Sequence, residues 1–115
     1  MKFPVIRSQT IDGEIRRFEL DIANDLIWFK GHFPARPVLP GVVQLDWAIK
    51  LAQQHFGHQD VPREVLRLKF KSVVVPPQIL LLTLSRTSAT EATFEYTSHG
   101  NIYSQGKLRF AGDGQ

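Results

Sequence analysis

An imidazole and a carboxyl group stand fourteen places apart, at His32 and Asp46, with Gly41 between them. Imidazole titrates near neutral pH, so it can take up a proton and give it back. Asp46 sits among Val42, Val43, Trp47 and Ile49, where desolvation favours the neutral, proton-donating carboxyl. A helix starting at Gly41 would present unpaired N–H groups and a positive dipole end, suited to an oxygen that gains negative charge. Glycine there lets a ligand approach the backbone. Plainer readings stand beside these. Asp46 precedes Lys50 by four residues, the spacing of a surface ion pair, and His32 could be a loop histidine bonded only to backbone.

The elements around these residues follow from periodicity. Gly31–Gly41 holds prolines 34, 37 and 40, so it reads as a stiff loop that continues neither a ladder nor a helix. Val42, Leu45, Ile49, Ala52 and Phe56 recur at spacings of three and four, which predicts a helix over Gly41–Phe56. Its first half is apolar almost all round, as in a buried helix, and Gly57 is a natural stop. Strands are expected at Glu14–Ile22 and Leu26–Phe29 before the loop. After Pro62, Leu66, Leu68 and Phe70 alternate with Arg67, Lys69 and Lys71, a period of two. Further strands are expected at Ile79–Arg86, Glu91–Ser98 and Ile102–Phe110, with turns at Pro76-Pro77 and Ser98–Asn101. One helix against a mostly antiparallel sheet is an α+β layout.

Bulk properties narrow the class. A chain of 115 residues fits a single domain over 1–115, and 43% hydrophobic residues suffice for a core. So small a domain gains from dimerisation. The net charge of +3 fits an acidic partner or simply a solvated surface, and no basic run interleaved with aromatics points to nucleic acid. The absence of cysteine excludes disulfides, thiolate nucleophiles and cysteine-ligated zinc. His55, His58 and His99 share no metal-ligand spacing and read as surface residues, so no metal is expected. Neither a signal peptide nor a membrane span is visible, and a cytoplasmic location is expected.

The loop and helix together resemble the 3-hydroxyacyl-carrier-protein dehydratases of fatty-acid synthesis. The matching residues are Gly31-His32-Phe33-Pro34, Pro37, Pro40-Gly41-Val42 and the acid Asp46. Family members carry Glu or Asp at the acid, Asp in the branch that also isomerises. Downstream, Leu68-Lys69-Phe70-Lys71 and Val73-Val74-Val75-Pro76 resemble the family's basic segment ending in Val-Pro, although Pro77-Gln78 stands where the family usually has Gly-Asp. The wording Gln44-Leu45-Asp46-Trp47-Ala48 is most similar to the dehydratases of aryl-polyene gene clusters.

The resemblance implies a hot-dog fold, an antiparallel sheet wrapped around one central helix. It implies a homodimer, or a higher oligomer or a pairing with a sister subunit, in which each site takes its histidine from one subunit and its acid from the other. His32 would remove a proton from C2 of the substrate, Asp46 would protonate the departing 3-hydroxyl, and the Gly41 N–H would hold the thioester carbonyl. No cofactor is expected, since the substrate rides on the phosphopantetheine arm of acyl carrier protein. Phe33, Val43 and Trp47 are candidate tunnel residues, with ordinary core packing as the alternative for each. Arg36, Arg63, Arg67, Lys69 and Lys71 are candidates for a basic rim that meets the acidic carrier, the last three on one side by alternation. The rival readings are a hot-dog thioesterase and a non-catalytic acyl-binding partner subunit.

Overall fold

The computed structural model describes residues 3–23 and 38–112. The expected strand at Leu26–Phe29, and the residues His32, Phe33 and Arg36, lie outside the described residues. The elements are β1 (Val5–Asp12), β2 (Ile15–Ile22), α1 (Gly41–Phe56), β3 (Glu64–Phe70), β4 (Gln78–Arg86), β5 (Glu91–Ser98) and β6 (Asn101–Arg109). The six strands form one sheet in the order β1-β2-β4-β5-β6-β3, and every neighbouring pair is antiparallel.

Strand β1 was not expected from periodicity, and its burial explains why. All eight of its residues are exposed, because it is an edge strand paired on one side only. No alternation of apolar and polar residues is then required of it. The readable trace is Asp12-Gly13 at the turn into β2, a common hairpin pair.

Helix α1 lies on one face of the sheet. Phe18, Leu20 and Ile22 of β2, Leu80, Leu82 and Leu84 of β4, and Phe94 and Tyr96 of β5 point to that inner face. They meet Val43, Trp47, Ala48, Leu51 and Ala52 of the helix. Of the set Val42, Leu45, Ile49, Ala52 and Phe56 that marks the helix by periodicity, only Ala52 lies in this fully buried stripe. A helix apolar almost all round forms two such stripes, and spacing alone does not choose between them. Leu45, Ile49 and Phe56 are half-buried and pack against the margin of this core, whereas Val42 remains 70% exposed. Asp46 lies one turn on from Val42.

Strand β3 corrects a second expectation. Leu66 is opposite Lys107 and Lys69 is opposite Gln105, so three steps on β3 answer two on β6. The extra residue is a bulge, and Arg67 within it takes φ 53. Directly paired residues share a face of the sheet. Hence Val65 and Phe70, opposite Leu108 and Ser104, point inward, while Leu66 and Lys69 point outward. Leu66 and Phe70, which strict alternation puts on one side, therefore face opposite ways.

The C-terminal end of α1 is closed by Gly57 in the left-handed conformation, φ 75, with its N–H on the Gln53 carbonyl at 3.1 Å. His55 and His58 are half-buried rather than free on the surface. His55 meets the Phe18 ring edge-on at 5.0 Å, and His58 stacks on Phe110 at 3.9 Å. His99 is exposed, in the β5–β6 turn.

Burial, and then the charge of Arg16, hold His55 below its ordinary 6.5. The unfolded chain therefore binds the His55 proton more readily than the folded one. The resulting stability is complete above about pH 6.5 and disappears as pH falls through the lowered folded value. We expect the fall in thermal midpoint below pH 6.5 to be shallower in His55→Asn than in the native chain. Parallel curves would show that His55 does not contribute.

Candidate active site at the start of the helix

Pro40 is the N-cap of α1 and makes no side-chain capping bond. Its carbonyl accepts the N–H groups of Val43 and Gln44 at 3.1 and 3.2 Å. The Gly41 and Val42 N–H groups come before these first helical bonds and lie outside the ladder. They are the donors on which a developing oxyanion could be held. The chain entering the helix is fixed by an isolated bridge in which the Leu39 N–H donates to the Val74 carbonyl at 2.8 Å.

Beside this helix start runs an apolar groove of about 390 Å³, bordered by Val38, Gly41, Val42, Phe70, Ser72 and Val73. Phe70 explains the glycine. A Cβ on residue 41 would fall 2.7 Å from the Phe70 ring, so no other residue fits there without displacing it. The close approach foreseen for a ligand at Gly41 is made within the subunit by an aromatic side chain.

Asp46 keeps 31% of its side-chain exposure, and its Oδ2, itself shielded from solvent, lies 3.0 Å from Lys50 Nζ. The ion pair suggested by the spacing of these residues is therefore formed. The carboxyl group is partly exposed, so the ion pair does not close it off from a bound substrate. Tyr96 lies close enough to feel it: burial first, and then the Asp46 charge, push the Tyr96 hydroxyl well above its ordinary value. Tyr96 thus remains a hydrogen-bond donor, and it donates to the Gln44 carbonyl at 2.7 Å.

The remaining candidates are scattered. Val43 and Trp47, 4% and 0% exposed, belong to the core between helix and sheet, and Trp47 stacks on Phe3 at 5.9 Å. They do not border the groove; Val42, Phe70 and Val73 do. Arg63, Arg67, Lys69 and Lys71 are all exposed along or just beyond β3. Gln78, in place of the acid common in the resembling family, returns its side-chain amide to the Val75 carbonyl at 2.9 Å across the two prolines.

Periodicity did not single out Gln44, Ser104 and Tyr96. Gln44 is 3% exposed and Ser104 0%, and Ser104 Oγ donates to Gln44 Oε1 at 2.7 Å. The trace in the sequence is a lone amide in the apolar run Val42-Val43-Gln44-Leu45, which stands out only once the buried face of the helix is known.

Among the described residues, one long helix lies on a six-stranded antiparallel sheet, the layout of a hot-dog fold. The family model described as ApeI dehydratase matches residues 8–107, and the chain belongs to this ApeI-like dehydratase family. A chain of the dehydratase heterocomplex ApeI:P from Xenorhabdus doucetiae superposes with a TM-score of 0.84 at 31% identity, covering 95% of this chain and 97% of that one. The 3-hydroxyacyl-[acyl-carrier-protein] dehydratase FabZ of Ruminiclostridium cellulolyticum is 27% identical over 73% of this chain and 67% of its own length. FabZ of Legionella pneumophila strain Corby is 26% identical over 95% of this chain and 80% of its own. The chain is therefore a dehydratase, a lyase that removes water.

Proposed function

We propose that this chain dehydrates 3-hydroxyacyl thioesters carried on acyl carrier protein to 2-enoyl thioesters, in fatty-acid or polyene synthesis, with His32 and Asp46 as its acid–base pair. The observation that carries the reading is the helix start, where the Gly41 N–H, the apolar groove and Asp46 occur within six residues of one rigid element. The thioester carbonyl accepts from the Gly41 N–H, which stabilises negative charge as C2 gives its proton to the His32 imidazole. The C3–O bond breaks, Asp46 protonates the departing hydroxyl, and water leaves as the C2=C3 bond forms. The phosphopantetheine arm of the carrier belongs to the substrate, and no resident cofactor or metal is invoked.

The second half of each site comes from another subunit. Val42 is 70% exposed one turn before Asp46 on the helix. At the adjoining sheet edge Leu68 and Phe70 are 38% and 49% exposed, with Val73 at 66% nearby. A patch of this kind marks an interface. A second copy is the simplest occupant. A sister subunit is the specific alternative, favoured by the likeness to a chain from a heterocomplex.

Among the described residues no helix is long and apolar enough to cross a membrane, and we place the reaction in the cytoplasm. The purified chain, incubated with 3-hydroxyacyl carrier protein and read by mass spectrometry, should yield a carrier species lighter by one water. Free acid with released thiol would instead mark a thioesterase. An unchanged carrier, with the sister subunit also supplied, would mark an acyl-binding protein.

Exposed Arg63, Arg67, Lys69 and Lys71, with Arg36, form the proposed basic rim for the acidic carrier. Surface charges steer association and are screened within about 8 Å at physiological ionic strength. The KM for carrier-bound substrate should rise with salt, and Lys69→Glu should raise it at low salt with kcat little changed. A KM indifferent to salt would remove the rim from the account.

A further inference from the structure

The first turn of α1 is secured without a capping side chain, because Pro40 has none to offer. Gln44 holds it instead. The Gln44 side-chain amide donates to the Leu39 carbonyl at 3.2 Å. Its Oε1 accepts from Ser104 Oγ at 2.7 Å, and its main-chain carbonyl accepts from the Tyr96 hydroxyl at 2.7 Å. Through these bonds one residue of the helix is tied to the chain just before it, to β6 and to β5. Leu39 is held on its other side by Val74, so the approach to the helix is clamped at both its N–H and its carbonyl.

All three side chains are buried: Gln44 3% exposed, Ser104 and Tyr96 0%. Replacing both partners of a buried hydrogen bond by apolar groups of similar shape is often nearly neutral for stability. Leucine at 44 with alanine at 104 would fill much the same space. What the amide and the hydroxyl add is a fixed position, since directional bonds define a geometry that apolar contacts leave free to slide.

We propose that Gln44, anchored by Ser104 and Tyr96, is a positioning residue for the dehydration. It sets where the Gly41 N–H, three residues before it, and the Asp46 carboxyl, two residues after it, stand relative to the bound acyl group. This inference rests on the roles given above to Gly41 and Asp46. Misplacement of reacting groups by about 1 Å costs up to about 10²-fold in rate, so a small shift of this turn is enough to matter.

The test is the double variant Gln44→Leu/Ser104→Ala, which removes both ends of the side-chain bond, beside Tyr96→Phe, which removes the third anchor. Tyr103→Phe, on β6 but outside the network, is the control. The double variant should fold and assemble as the native chain does. Its kcat should fall by about 10- to 100-fold with KM within about threefold. The Gly41 amide and Asp46 carboxyl-carbon NMR resonances should move, and the control should leave them in place. A folded double variant with native kcat, or one altered in KM alone, overturns the proposal. Should the native chain itself fail to turn over carrier-bound 3-hydroxyacyl thioesters, the dehydratase reading falls, and the resonances decide the positioning claim: displaced they uphold it, unmoved they end it.

Discussion

Asp46→Asn should lower the rate of water elimination by about 10²- to 10⁴-fold and leave fold and assembly intact. The size follows from the role. An amide has no proton to give at neutral pH, so hydroxide must leave without general-acid help. The mildness of the structural effect follows from the site. Asp46 is 31% exposed and its one described ion-pair partner is Lys50, an i,i+4 pair, and such exposed helical pairs contribute only about 0.3–0.5 kcal/mol. His32→Ala should match it in turnover, because a base and an acid acting on one substrate fail together. If Asp46 served only its pair with Lys50, Asp46→Asn would keep full turnover, measured on a 3-hydroxyacyl carrier-protein substrate.

Trp47→Ala acts on stability. Trp47 is fully buried, stacks on Phe3 and packs in the core between α1 and the sheet. Truncating such a residue costs about 3–5 kcal/mol, from lost transfer energy and the cavity left behind. Small domains hold about 5–15 kcal/mol in all, so the variant should melt roughly 10 °C or more below the native chain. Trp47→Phe should fare much better, because the indole N–H has no hydrogen-bond partner among the described residues. This separates core from tunnel. A tunnel residue cut to alanine would leave the melting temperature nearly unchanged and extend the range of acyl lengths accepted.

The sequence declares the helix most clearly. Its expected span, Gly41–Phe56, is the observed one, because Pro40 and Gly57 punctuate it and apolar residues recur within. Strand β5 is likewise observed over Glu91–Ser98, β2 and β4 differ by a residue at one end, and β6 differs by a residue at both ends. These strands are covered on one face, and one-sided burial writes a period of two into the residues. Strand β1 lacks that cover and therefore lacks the signal. The bulge at Arg67 was illegible for a different reason. Leu66, Leu68 and Phe70 alternate perfectly as letters, and only pairing with β6 shows that one residue is inserted.

For the site, the helix start and its acid were legible from residue types, since glycine after proline and a carboxyl in an apolar run are unusual in themselves. The residue packed against Gly41 was not. Phe70 lies twenty-nine places further along the chain, and its contact is a product of the fold. The same holds for Gln44 with Ser104 and Tyr96, which only the tertiary structure brings together.

The most direct measurement mixes two inactive chains. His32→Ala and Asp46→Asn, purified separately, are combined, allowed to exchange subunits, and assayed on carrier-bound 3-hydroxyacyl thioester. If each site takes imidazole and carboxyl from different copies, every mixed dimer regains one intact site, and random exchange restores about a quarter of native turnover. Exchange without recovery would contradict a site shared between two copies of this chain.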